Sequence, residues 1–260
     1  MKISVLVDNT PGPNTLAEHG LSYLIDYNGK QILFDTGQTD LFLRNAEIMN
    51  LNTKNVDQIV LSHGHFDHGN GLNHIHGGNL ICHPGCFVKR HRKDGDSYIG
   101  LKNNFDSIRD KFNLFATAKP YQIFSGAYFL GEIPRISDFE SKTTSFVFDD
   151  GTPDFVMDDS ALAFRVDSGI FVITGCGHAG IVNTLEYAKK ATGQSKIVGI
   201  MGGFHLKENN LQTQKTIEYL KANNVKYVYP SHCTAAPALA EFYKIFKTPQ
   251  VKTGDILTIH

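Results

Sequence analysis

The chain has 260 residues, enough to bury a substantial core, with 41% hydrophobic and 20% charged residues. Lys plus Arg number 25 and Asp plus Glu 26, a formal net charge of −1. That balance argues against nucleic acid or an anionic membrane as partner, and no apolar run reaches the length of a membrane span.

Residues 2–7 (KISVLV) read as a strand, and the short apolar stretch there is too brief for a signal peptide, so the chain reads as cytoplasmic. Residues 21–27 and 31–35 flank Asn28-Gly29, a strong hairpin signal. Residues 39–48 carry apolar residues at helical spacing, with a cap near Thr39. Strands are expected at 57–61 and 79–82. The segment 88–120 changes character, with the basic tract Lys89 to Lys93 and a helical stretch near 103–112, and reads as an insertion or lid on a single domain spanning 1–260. Strands return at 121–124, 143–148, 161–166 and 170–174. Helix and strand then alternate: helix 180–191, strand 196–201, helix 209–222, strand 225–229, helix 236–246, strand 255–259. Strand-rich, helix-punctuated halves suggest two sheets packed face to face with helices outside.

Twelve histidines are the informative count, and six of them (His63, His65, His68, His74, His76, His83) fall within 21 positions. The run His63-Gly64-His65-Phe66-Asp67-His68 directly follows an apolar strand. Read as an extended loop, it points His63 and His65 the same way, where they can share a cation, and turns Phe66 into the core. Asp67 and His68 diverge towards a second position. Nitrogen and carboxylate donors suit zinc, iron or manganese. An exposed polar loop is the bland alternative. The four cysteines (Cys82, Cys86, Cys176, Cys233) show no disulfide-framework spacing and are expected as reduced thiols; Cys82 and Cys86 would make only half a zinc site.

His-x-His-x-Asp-His after a short strand resembles the signature of the metallo-β-lactamase superfamily. Phe34-Asp35-Thr36-Gly37, Thr174-Gly175-Cys176-Gly177-His178 and Pro230-Ser231-His232 resemble its further motifs, in the expected order. The resemblance implies a four-layer αββα sandwich of α/β class. It also implies one or two divalent transition metal ions, zinc first, with manganese, iron or magnesium as alternatives. His63, His65 and His178 would hold the first ion, and Asp67, His68 and His232 the second. Asp35 would steady a ligand imidazole from behind. Many two-metal relatives carry a bridging aspartate where this chain has Cys176, which is either a thiolate ligand or a bystander. His178 has a competing reading as a capping or core histidine. The wider set LVDN, EHGLSYLI, ILFDTGQT, LSHGHFDHGNGL, ITGCGHAGIVNTLEYA, MGGFHL and YPSHC is similar to one subgroup. That subgroup contains the archaeal synthase of methanopterin biosynthesis and bacterial metal-dependent hydrolases.

The resemblance implies a hydrolase of small, phosphorylated or pterin-like substrates through metal-activated water, with Asp67 as ligand and proton acceptor. The alternative is a transferase that condenses a dihydropterin diphosphate with an aryl amine; a non-catalytic metal-binding module is the third reading. His205, in Gly-Gly-Phe-His-Leu, is a candidate to bind a substrate phosphate or donate a proton, or else caps helix 209–222. Lys89 and Arg90 are candidates for phosphate contacts, although such a tract is more often a solvated loop. The expected partner is a small molecule, with neither nucleic acid nor membrane, and a homodimer is the default assembly.

Overall fold

Asn28 and Gly29 both adopt positive φ, +50° and +77°, and reverse the chain between two antiparallel strands, β2 (Ser22–Tyr27) and β3 (Lys30–Phe34). Positive φ at both central residues matches the twist of the flanking strands, and Asn-Gly supplies it cheaply. In the computed structural model, which describes residues 1–95 and 97–260, this hairpin is the centre of the first of two compact units.

The first unit comprises residues 1–118, 144–154 and 252–259. Its seven-stranded sheet adds β1 (Lys2–Val7), β4 (Gln58–Val60), β5 (Asn79–Cys82), β7 (Asn113–Ala116) and β15 (Ile256–Thr258) to the hairpin. The order is β15-β1-β2-β3-β4-β5-β7. The left half is antiparallel; from β3 to β7 the neighbours run parallel. Parallel neighbours need crossovers, and α1 (Leu41–Ile48) and α3 (Phe105–Lys111) provide two of them. The apolar stripe of α1 (Leu41, Phe42, Ala46) and Ile108 with Phe112 pack on Leu24, Leu33, Ile59 and Leu80 of the sheet. Full burial of each such side chain contributes about 1.5–3 kcal/mol. Leu41 N donates to Thr39 Oγ1 at 3.1 Å, but the N-cap residue of α1 is Asp40, one residue past the expected Thr39, and its side chain makes no capping bond.

The segment 88–120, expected as an insertion or lid, contributes three elements. β6 (Arg90–Arg92) pairs with β10 (Phe146–Phe148) as a separate ribbon; α3 buries Ile108, and β7 forms one edge of the sheet. β7 has no counterpart among the expected strands. Its residues alternate between exposed and half-buried, which leaves only a faint apolar signal in NLFA.

The second unit comprises residues 119–143, 155–251 and His260. Its six-stranded sheet runs β14 (Tyr227–Ser231), β13 (Ile197–Gly203), β12 (Gly169–Thr174), β11 (Ala161–Val166), β9 (Ala127–Phe129), β8 (Tyr121–Phe124). β12, β13 and β14 are mutually parallel, linked through α4 (Ile181–Thr192) and α5 (Leu211–Ala222), and α6 (Ala236–Phe246) follows β14. Leu185, Ala188, Ile217, Leu220, Ala238 and Phe242 form a core with Val172, Ile200 and Val228. Asn210 caps α5 by accepting from Thr213 N at 3.2 Å, and α4 stops at Gly193 in the left-handed conformation. Each unit is thus a sheet flanked by helices. Among the described residues no helix is long and apolar enough to cross a membrane.

Candidate metal centre

In the first unit the candidate donors lie where β3 and β4 end. His63 follows β4 by three residues and is fully buried. Its Nδ1 lies 2.9 Å from Ser62 Oγ, and its Nε2 lies 3.0 Å from His65 Nδ1. Burial, then the neighbouring His68 and His65, holds the His63 pKa well below the ordinary value, so this imidazole is neutral near pH 7 and has a lone pair to offer. The His65 ring meets Phe146 edge-on, centroids 4.9 Å apart. At Gly64 a Cβ would lie 1.8 Å from the Cys86 carbonyl oxygen, so only glycine lets the two histidines follow each other here.

Phe66 does not turn into the core. It opens a helical turn, α2 (Phe66–Gly69), and is only half-buried, its ring centroid 6.3 Å from that of His19. The strand-like alternation behind the expectation lapses once the backbone coils. For the same reason Asp67 and His68 converge rather than diverge: His68 Nε2 lies 3.8 Å from Asp67 Oδ2. Such a pair is spaced to grip one cation.

Asp35 organises this turn. It stands at φ +56° just past β3, a conformation that L-residues seldom adopt and that is retained where the surroundings over-determine it. Its Oδ2 accepts from His68 Nδ1 at 2.7 Å and from Ser62 Oγ at 2.7 Å; its Oδ1 accepts from Ser62 N at 2.7 Å. Binding the Nδ1 proton leaves Nε2 as the nitrogen that could coordinate a metal. Burial pushes the His68 pKa down, but Asp67 and Asp35 outweigh it and raise the pKa above the ordinary value. His19, not singled out in the sequence, lies half-exposed with Nε2 3.1 Å from Asp67 Oδ2.

In the second unit the candidate donors follow the carboxyl ends of three parallel strands, the edge where open α/β sheets bind ligands. Thr174 is in register with Gly202, and Gly202 with Pro230, so the residues after each strand share one edge. Cys176 and His178 follow β12, His205 follows β13, and His232 with Cys233 follows β14. His205 and His232 both sit at φ +50°. The His178 and His205 rings are 4.3 Å apart. Asn210, not His205, caps α5. One donor atom each from Cys176, His232 and Cys233 lies within 4.8 Å of the other two, a group that could hold a metal ion. Cys233 Sγ donates to the Cys176 carbonyl oxygen at 3.4 Å. Burial raises the Cys233 thiol pKa, but the hydrogen bond with Cys176, then His232 and Lys207, bring it down to about 7. Beneath this edge, buried Asp159 accepts from Ala179 N at 2.9 Å and ties down the loop after β12.

The basic tract is divided. Lys89 is 73% exposed, its Nζ 3.7 Å from Asp149, whereas the Arg90 side chain is 1% exposed, with Nε 3.3 Å from Asp154 Oδ2 and Nη2 donating to the Gly85 carbonyl. His74 and His76 are exposed, and buried His83 accepts from Gly85 N. Cys233 was legible only as the last residue of YPSHC, and His19 only as a member of the motif EHGLSYLI, with no role attached to either.

Residues 16–189 match the family profile described as the Metallo-beta-lactamase superfamily. An uncharacterized protein of Methanocaldococcus jannaschii is 35% identical over 267 residues, covering 99% of this chain and all of the relative. From the same organism, 7,8-dihydropterin-6-methyl-4-(beta-D-ribofuranosyl)-aminobenzene-5'-phosphate synthase is 32% identical over 272 residues, covering 95% of this chain and 92% of the synthase. Among solved structures, Tm1679, described as a metal-dependent hydrolase of the beta-lactamase superfamily, matches with a TM-score of 0.88 and 27% identity over 100% of this chain and 99% of its own. A diphosphatase of the PhnP family shares the fold at a TM-score of 0.57, 16% identity, and coverage of 100% of this chain and 98% of its own. On its motifs, its mixed α/β sheets flanked by helices and these matches, the chain belongs to the metallo-β-lactamase superfamily.

Proposed function

We propose that the chain is a metal-dependent hydrolase of a small, phosphorylated or pterin-like molecule. The observation that carries the reading is the cluster His63, His65, Asp67, His68: a neutral buried imidazole, a carboxylate 3.8 Å from an imidazole nitrogen, and Asp35 fixing that imidazole from behind. This donor chemistry fits a borderline divalent ion such as zinc. Following the superfamily pattern, His63, His65 and His178 are the first ligand set, and Asp67, His68 and His232 the second. When bound, such ions polarise the scissile bond and lower the pKa of water. Asp67 would hold the ion through one carboxylate oxygen and could take a proton on the other, and His19, whose Nε2 lies 3.1 Å from Asp67 Oδ2 on a half-exposed side chain, would carry a proton between that carboxylate and solvent. His205, beside His178, contacts the leaving group or its phosphate.

A second reading, transfer of a dihydropterin group from its diphosphate to an aryl amine, is favoured by one observation, the 32% identity to the synthase across nearly the whole chain. There the same side chains would clamp the diphosphate, and water would have to be kept out.

The experiment that tests the proposal supplies purified, metal-loaded protein with a panel of phosphodiesters, phosphomonoesters, esters and lactones. In parallel it supplies hydroxymethyl-dihydropterin diphosphate with ribofuranosyl-aminobenzene phosphate. Turnover in the panel that His65→Ala abolishes is expected. Condensation with release of diphosphate, and no turnover in the panel, would replace hydrolysis by transfer.

A further inference from the structure

We propose that Cys233 is a metal ligand, and that Cys176, His232 and Cys233 together make a thiolate-rich position selective for a thiophilic ion such as zinc. The proposal rests on the metal-dependent reading above and adds a residue outside its ligand pattern. Three observations carry it.

The first is spacing. The donor atoms of Cys176, His232 and Cys233 all lie within 4.8 Å of one another. Tetrahedral zinc with Zn–S near 2.3 Å and Zn–N near 2.0 Å sets its donors about 3.5–3.8 Å apart, so a shift of about an ångström or less closes the set. The second is the backbone. Successive side chains of a strand point to opposite faces, and adjacent residues seldom serve one centre. His232 sits at φ +50° immediately after β14, which breaks the alternation and brings both its ring and the Cys233 thiol to the same point. A histidine held in that conformation is strained unless its surroundings require it. The third is a space kept clear. A Cβ on Gly203 would meet the Gly175 carbonyl oxygen at 2.5 Å, Cys233 Sγ at 2.6 Å and Cys176 Cα at 3.1 Å, so the thiol shares this bare position with the backbone of the loop after β12. The end of β13 is bare where the thiol lies.

The chemistry of the set then decides the ion. Two sulfurs and one imidazole favour zinc, cobalt or cadmium and disfavour magnesium and manganese, which prefer oxygen. The Cys233 thiol that now donates to the Cys176 carbonyl would lose its proton on coordination, so binding at this position releases protons.

The test is reconstitution of the chelator-stripped, full-length protein with cobalt(II), read by the thiolate-to-cobalt charge-transfer absorbance and by bound cobalt per chain. The wild type should show the band. Cys233→Ser and Cys176→Ser should each lose about half of its intensity, and the double variant all of it. Alongside, mass-resolved alkylation of the unmutated protein, with and without zinc, avoids any folding defect of the variants: Cys233 should be protected by zinc and not by magnesium. Full band intensity in Cys233→Ser, or equal alkylation of Cys233 with and without zinc, would overturn the proposal. Stoichiometric cobalt without any charge-transfer band would defeat it as well, yet leave the metal-dependent hydrolase reading standing. Failure to bind cobalt at all would remove both.

Discussion

Asp35 carries three buried hydrogen bonds with two oxygens, and each partner needs it. Asp35→Ala would strand the Ser62 amide and the His68 Nδ1 proton without an acceptor. A buried group left unsatisfied costs roughly 1–3 kcal/mol. Removal of a hydrogen-bond partner behind a metal-bound histidine typically costs about 10–100-fold in metal affinity. We therefore expect Asp35→Ala to fold with lower stability and to bind zinc at least about tenfold more weakly by competition with a chelator; unchanged affinity would show that His68 does not depend on this bond. Gly64→Ala is expected to do more damage, because the clash is with the Cys86 backbone oxygen rather than with a movable side chain. Its expected signature is a loss of at least about 2 kcal/mol in urea unfolding together with reduced metal content. At this scale the site was partly legible. The spacing of His63, His65, Asp67 and His68 marked these four as candidate donors, because so many coordinating residues seldom crowd into six positions by chance, and the structure buries all four beside one another. The directions of Phe66 and Asp67 were not legible, because they depend on α2 being helical, and a four-residue turn has no periodicity to read.

At the scale of elements, the ends of strands and helices hold the chemistry. Glu140 shows how one such end is set. Fully buried, it accepts from Val182 N and Asn183 N, each at 2.9 Å, in the first turn of α4. Burial raises its pKa from 4.5 to about 7, against the pull of those backbone donors. The folded state therefore holds a proton between pH 4.5 and 7 that the unfolded chain releases. The resulting stabilisation is complete below pH 4.5 and is lost as pH rises through 7. The stability of the wild type relative to Glu140→Gln should fall from pH 5 to pH 7.5, by no more than about 1.4 kcal/mol per pH unit. A constant difference in urea unfolding at the two pH values would contradict this. Long elements were legible: α1, α4, α5 and α6 appear within two residues of their expected spans, because apolar residues at helical spacing, helped by caps and stops such as Asn210 and Gly193, mark them clearly. β6, β7 and β9 were missed. Strands of three or four residues contain too few alternations to register, and β7 gains its order from pairing with β5.

At the scale of the whole molecule, sequence patterns identify strands but not their neighbours. β15, formed near the end of the chain, pairs with β1 at its start, and residues 144–154 return to the first unit to place β10 against β6. Such pairings are chosen by packing between distant segments, which no local pattern encodes. The family motifs bridged that gap, since their order along the chain accompanies a fold shared over its full length with Tm1679. A metal that binds only the folded chain should also stabilise it: at a free ion concentration one hundred times the dissociation constant the gain is about 2.7 kcal/mol, read as a higher melting temperature that a chelator reverses. The central claim, that the 63–68 run grips a catalytic metal, is met most directly by elemental analysis of untagged protein and of His65→Ala, paired with activity. Near-stoichiometric transition metal in the wild type, with most of it and the activity lost in the variant, is the predicted result; full occupancy and full activity in His65→Ala would contradict it.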